Sequence, residues 1–553
     1  MSPLLYKQFV EETFGADGEV LRFRVKALDS FNFAYDCVDA LAESQPDKLA
    51  MQWCNEAGEE RSFTFADIKR ESDRAAAFFQ SLGIGRGDAV MLILKRHYEF
   101  WFAIVALHKL GAVAVPATNQ LLHKDLVYRF NAAIIKAVVC TAEGAIAALV
   151  DEALPESPTV RIRVMARGRR EGWHSFEDGL AAAGSFARPT GDAAPGPQDR
   201  MLMYFSSGTT GMPKMVAHNF LYPLGHVPTA VYWHRVDPNG LHLTVSDTGW
   251  AKSMWGKLYG QWLAEAAIFV YDYDRFNGED ILRCIEKYRV TTFCAPPTIY
   301  RFLIKQDLDR FDLSSLQHAT IAGEALNPEV FHQFHRQTGL MLMEGYGQTE
   351  MTLSVAAFHW MKPKPGSMGK PSPAYRVEIV DEEGRALQAG EIGEIVIRTD
   401  EFTPAGMLME YYRDDERTAQ AWHDGLFHTG DTAWMDEDGY IWYVGRADDI
   451  IKSSGYRIGP FEVESVLMEH PAVLECAVTG VPDPDRGQLV KATIVLARGY
   501  TASDDLAREL QDYVKTHTAP YKYPRAIEFV PELPKTISGK IRRTEIRAKD
   551  NEK

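Results

Sequence analysis

The chain has 553 residues, 46% of them hydrophobic and 25% charged, with a formal net charge of −16. That balance excludes a disordered chain, and the length exceeds what one ordinary core organises, so a large domain and a smaller one are expected. The acidic surplus offers no chain-wide attraction to a nucleic-acid backbone, so an anionic ligand needs donors and cations gathered locally.

Residues 1–20 lack a cationic stretch followed by an apolar one, so no signal peptide is expected. Residues 64–83 read as a helix, with Thr64 as N-cap, Asp67 in the first turn and Gly83 as terminator. The apolar run 89–94 follows, and with runs 137–140 and 267–271 it sets the rhythm of an α/β protein whose sheets are covered on both faces. The longest apolar stretch, 100–116, is broken by His108 and Lys109 and is too short to span a bilayer, so the protein is expected to be cytoplasmic, without membrane insertion. Residues 184–200, rich in Gly, Pro and Ala, read as a surface connection. Near the C-terminus, a strand at 490–496 precedes Leu506, Leu510, Tyr513 and Val514 at helical spacing, which predicts a small α+β unit. The six cysteines are scattered without a C-x-x-C pair and read as buried, reduced thiols.

Chemistry concentrates first in YFSSGTTGMPK, residues 204–214. Gly208 and Gly211 let backbone amides approach an anion closely; Ser206, Ser207, Thr209 and Thr210 add hydroxyls, and Lys214 adds charge. The composition grasps phosphate, although the glycine-to-lysine spacing of a Walker A loop is missing. This stretch resembles the phosphate-loop signature of the adenylate-forming superfamily, which comprises acyl-CoA synthetases, peptide-synthetase adenylation domains and luciferases.

Further motifs resemble that superfamily in the same order along the chain. Gly323, Glu324 and Ala325, then EGYGQTE (Glu344, Gly345, Tyr346, Gly347, Gln348, Thr349, Glu350), match its adenine-side and metal-side segments. The side chains have the chemistry such segments need, since Tyr346 can stack on a purine, Thr349 can donate to the α-phosphate, and Glu350 can hold Mg²⁺ on the nucleotide phosphates. Asp431, in FHTGD, falls where the superfamily places the acceptor of both ribose hydroxyls. In GRADDIIKSSGYRIGP, residues 445–460, Arg446 and Arg457 are placed to contact ribose or phosphate, and Asp448 matches the hinge. Lys540, in PKTISGKIRR, occupies the position of the adenylation lysine.

The resemblance implies an α/β fold with a large N-terminal domain of layered sheets and helices (αβαβα), a β-barrel-like subdomain, and a small mobile α+β C-terminal domain. The boundary is expected between residues 1–446 and 447–553. It implies ATP, CoA and Mg²⁺ as cofactors and a small carboxylic acid as substrate, activated as an acyl-adenylate. It is closest to the medium-chain acyl-CoA synthetases, and so points to Ser454, Gly455 and Tyr456 beside the pantetheine path and to Arg486 and Lys515 near the nucleotide phosphates of CoA. Trp250, Lys252 and Trp255 are the corresponding acyl-pocket candidates, with Gln120 a nucleotide-side or substrate-side contact. Acetyl-CoA synthetases carry a tryptophan at the position of Gly347, so the glycine predicts a pocket without that wall and an acid longer or bulkier than acetate. Adenylation for another acceptor, such as a carrier protein, and a catalytically silent nucleotide-binding regulator stay open as alternatives.

Overall fold

The computed structural model describes residues 3–206, 212–324, 326–454, 456–535 and 541–551. The expected sites Ser207, Gly208, Thr209, Thr210, Gly211, Ala325, Gly455 and Lys540 lie outside them.

Two sheets dominate. In an eight-stranded sheet, strand Ala89–Ile93 runs parallel between Val113–Pro116 and Ile135–Thr141, and all five of its residues are buried, as its unbroken apolar run predicts. In a nine-stranded sheet, Leu241–Thr244, Thr292–Ala295, His318–Ala322 and Leu342–Gln348 run in parallel. Helices Phe65–Ser81, Glu99–Leu110 and Tyr259–Leu263 fill the space between the sheets, and separate clusters of helices cover each outer face, which gives the five-layer arrangement. Helix Phe65–Ser81 begins as its sequence predicts: Thr64 caps it and shares a reciprocal capping box with Asp67, while Gly83 turns the chain at φ +81°. All twelve residues of Glu99–Leu110 are buried. Its ends bury polar groups in pairs, Glu99 with Arg167 at 3.0 Å and Lys109 with Asp39 at 2.8 Å. No helix among the described residues is long and apolar enough to cross a membrane.

A five-stranded antiparallel sheet follows, in which Leu426–Met435 pairs with both Gly393–Arg398 and Ile441–Arg446. The last part of the chain builds its own core. Strands Val473–Asp483 and Gly487–Leu496 form a long antiparallel pair, Ala526–Phe529 joins in parallel, and helices Pro460–Glu469 and Asp504–His517 pack on them. All six cysteines are free and buried.

Candidate active site

The phosphate-grasping stretch lies between two antiparallel strands, Arg200–Ser206 and Lys214–Asn219, whose register sets Ser206 opposite Lys214. From there the Lys214 ammonium reaches Glu350 Oε1 at 2.5 Å, and the Tyr411 hydroxyl donates to the same oxygen at 3.0 Å. Burial opposes ionisation of Glu350, but the Lys214 charge and these hydrogen bonds outweigh it and hold the carboxyl below its ordinary range. The expected phosphate-side cation and metal-side carboxylate are therefore neighbours, each neutralising the other.

Thr349 and Glu350 form the tight turn between Leu342–Gln348 and Met351–Ala356, where Gln348 is paired with Met351. The buried imidazole of His218 lies 2.8 Å from the Thr349 carbonyl. Burial pushes His218 down to about 4, so it is neutral at ordinary pH, and one ring N–H can pin the turn. On the other side of the strand, Asp431 is 4% exposed and gathers donors. The Tyr346 hydroxyl reaches it at 2.7 Å, Gln348 Nε2 at 2.5 Å, and Tyr443 and Arg446 at 3.3 Å each. Four residues from two strands thus converge on a carboxylate suited to accept a diol.

The adenine-side segment turns at Gly323, whose φ of +108° suits glycine. Lys252 donates to the carbonyl of Ala322, just before that turn. Glu324 faces the Thr298 hydroxyl at 3.3 Å and Arg301 at 3.9 Å. Glu344 accepts the Leu326 N–H at 3.1 Å, and full burial, partly offset by that bond, pushes its carboxyl up to about 8. It is mostly protonated at neutral pH and acts as a neutral prop for the loop.

Gly347 is closely packed. A Cβ there would lie 2.5 Å from Trp255 Cη2 and 2.6 Å from the Thr352 carbonyl oxygen. The space is therefore walled by an indole that arrives from a different segment. Trp255 is 7% exposed and sits edge-on to Trp233 with ring centres 6.2 Å apart. Trp250 is half-buried on the preceding loop, and Gln120 is exposed.

The other expected residues have further partners. Arg457 pairs with Glu382 at 2.6 Å on the surface rather than with the Asp431 cluster. Asp448 lies 3.8 Å from Arg446 Nε, and its carbonyl accepts from Arg547 at 3.2 Å. On the C-terminal unit, Arg486 donates to the Ser454 hydroxyl at 3.2 Å, while Tyr456 is half exposed and stacks on Tyr521 at 4.0 Å. Lys515 pairs with Asp512 at 2.8 Å, and its ammonium and the Arg525 guanidinium lie 4.4 and 4.6 Å from the ring centre of Tyr523. Cations and flat rings thus share one surface. Sequence reasoning missed Tyr411, His218 and Tyr443, which meet the motifs only through folding.

Comparison with known proteins shows the family. The model of the family described as AMP-binding enzyme matches residues 38–412, and that of the AMP-binding enzyme C-terminal domain matches residues 462–540. The chain is 43% identical over 528 residues to the acyl-coenzyme A synthetase ACSM4, mitochondrial, of Rattus norvegicus, covering 94% of this chain and 90% of the relative. To ACSM3, mitochondrial, of Homo sapiens it is 40% identical, covering 96% and 91%. Among solved structures it is similar to the anthranilate CoA ligase AuaEII in complex with anthranoyl-AMP (TM-score 0.86, 29% identity, 95% of this chain and 98% of that one). It is also similar to a benzoate CoA ligase from Burkholderia xenovorans LB400 (TM-score 0.80, 28% identity, 94% and 100%).

Proposed function

Because the chain belongs to the AMP-binding enzyme family, we propose that its crevice activates a short- to medium-chain or branched carboxylic acid with ATP and passes the acyl group to coenzyme A, releasing AMP and pyrophosphate. It is an acyl-CoA synthetase of the medium-chain type. The observation that carries the reading is the convergence, on the two sides of strand Leu342–Gln348 and its turn, of the Lys214–Glu350 pair and the donor-rich Asp431.

A carboxylate is a poor electrophile because its leaving group would be oxide. Attack of a carboxylate oxygen on the α-phosphate, with departure of pyrophosphate, makes that oxygen the bridge of an acyl–phosphate mixed anhydride, and the CoA thiol then attacks the acyl carbon and AMP departs with the bridging oxygen. Little covalent work falls to the protein, so positioning and charge neutralisation dominate. In this reading Asp431 takes the ribose hydroxyls, exchanging donors it already holds. Lys214 leaves Glu350 for the outer phosphates, and Thr349 donates to the α-phosphate. Magnesium fits Glu350, an ionised carboxylate of the kind that holds Mg²⁺ together with substrate phosphates; when bound it neutralises phosphate charge.

Lys540 is assigned to the α-phosphate side in the first half-reaction. The domains are residues 1–446 and 447–553, turning about Asp448, so that the face carrying Ser454, Tyr456, Arg486 and Lys515 meets CoA in the second. Trp250, Lys252 and Trp255 line the acyl pocket, and Trp255 limits its depth. We place the protein in the cytoplasm. The test is a panel of acids from acetate to octanoate, with branched and aromatic members, scored by AMP release with and without CoA. CoA-dependent AMP release supports the reading. AMP release indifferent to CoA points to another acceptor, and no ATP–pyrophosphate exchange with any acid points to a silent regulator.

A further inference from the structure

Lys257 is a lysine in the wrong place for a surface residue. It is 2% exposed, and its side-chain ammonium donates to the carbonyl oxygen of Ser246 at 2.7 Å. Its backbone is clamped from two directions. The Trp101 indole N–H donates to the Lys257 carbonyl at 2.7 Å, and the Lys257 N–H donates to the Ser253 carbonyl at 2.8 Å. The residue before it, Gly256, lies so close to strand Leu241–Thr244 that a Cβ would fall 1.8 Å from the Thr244 hydroxyl oxygen. Lys257 is thus a fixed post at the end of the helix Lys252–Gly256, which carries Trp255.

What the post holds is the loop 246–250, which carries Trp250. Arg96 ties the same loop through Asp247 at 3.0 Å, and Asp247 Oδ1 accepts the Gly249 N–H at 2.9 Å. Gly249 rests on the chain at Ala117 and Thr118, where a Cβ would lie 2.3 Å from the Thr118 nitrogen. The loop therefore has a stop on one side and the Lys257 and Arg96 ties on the other. Without the amine, the Ser246 carbonyl loses its buried donor, and the spacing between the Trp250 loop and the Trp255 helix loses a strut.

We propose that Lys257 is a positioning residue for acyl recognition: its buried amine braces the Trp250 loop against the Trp255 helix and so sets the width of the acyl pocket. This rests on the assignment of Trp250 and Trp255 to that pocket. The charged and titratable groups facing the amine are Arg96, Asp247, Asp272 and His242. Burial, reinforced by Arg96 and opposed by the two carboxylates, pulls the ammonium down to about 7. His242, pushed down to about 3, stays neutral throughout the working range. As pH rises past neutrality the charge-assisted bond to Ser246 becomes an ordinary one and the brace slackens.

The test compares wild type with Lys257→Met, which removes the donor at similar volume, and Lys257→Gln, which keeps an uncharged donor. KM for propionate, isobutyrate and hexanoate, KM for ATP, and the thermal midpoint are measured between pH 6 and 8.5. The expected result for Lys257→Met is a rise of about tenfold in KM for the best acid, altered ranking among the three acids, and KM for ATP within about twofold of wild type. Lys257→Gln should recover part of the loss and lack the rise in acid KM that wild type shows above neutral pH. Unchanged acid KM and ranking in Lys257→Met overturns the proposal. So does a parallel loss in acid KM, ATP KM and thermal midpoint, because that is what a purely structural lysine gives. If wild type uses no acid at all, the acyl-CoA synthetase reading itself fails.

Discussion

Truncating Trp255 to alanine tests the proposed acyl pocket most directly. The indole occupies the space beside Gly347, with Cη2 only 2.5 Å from where a Cβ would stand, and a tryptophan side chain buries on the order of 200 Å². Opening that space admits about three further methylenes of an acyl chain, each gaining about 0.8 kcal/mol on burial. The total of about 2.4 kcal/mol corresponds to roughly 60-fold in kcat/KM for the longer acid. The assay is CoA-dependent AMP release across straight-chain acids from propionate to decanoate. Wild type should fall off sharply once the chain reaches the indole, and the variant's optimum should move about three carbons longer while the shortest acids bind less well. Loss of a large buried aromatic costs about 3–5 kcal/mol of stability, so Trp255→Leu serves as the milder companion and should shift the optimum in the same direction by less. An optimum that stays in place in both variants, with both folded, refutes the assignment of Trp255 as the wall.

Three other outcomes follow from the same geometry. Lys540→Ala should slow acyl-adenylate formation at least about a hundredfold, yet leave conversion of supplied acyl-adenylate and CoA to acyl-CoA nearly intact, as single-turnover rates of the two halves will reveal. Asp448→Pro, which restricts φ at the proposed hinge, should slow the thioester half-reaction more than adenylation; equal slowing of both counts against a hinge there. Glu344→Gln should fold and retain activity, because the Glu344 carboxyl, pushed up to about 8, is already mostly neutral at working pH. The folded state keeps a proton there that the unfolded chain releases, so wild type loses stability relative to the variant as pH climbs from about 4.5 to 8, and thermal melts across that range should show the gap widening.

The sequence was most legible where function is written locally. The capping box of Phe65–Ser81 and the all-apolar strand Ala89–Ile93 depend on neighbours in sequence, and both appear as read. The motif residues Tyr346, Gln348 and Arg446 were each singled out in the sequence, but their meeting at Asp431 was not. What stayed hidden depends on long-range closure. Tyr411 meets Glu350 across 61 positions, and His218 meets Thr349 across 131, with no periodicity or spacing to announce either. The packing of Trp255 against Gly347 was hidden for the same reason: a missing side chain in one segment says nothing about which other segment lies beside it.

Those distant partners share a physical logic. A carboxylate as buried as Glu350 or Asp431 is costly unless paired, so a site proposed to receive a cation and hydroxyls has to be satisfied without them. Glu350 meets this with Lys214 and Tyr411, and Asp431 with Tyr346, Gln348, Tyr443 and Arg446. Substrate entry then becomes an exchange of partners rather than the desolvation of bare charges. The exchange keeps the net electrostatic change small while leaving the geometry of both carboxylates fixed in advance. Tyr411 and Tyr443, which sequence alone could not reveal, thus join the recognisable motif residues in satisfying both carboxylates.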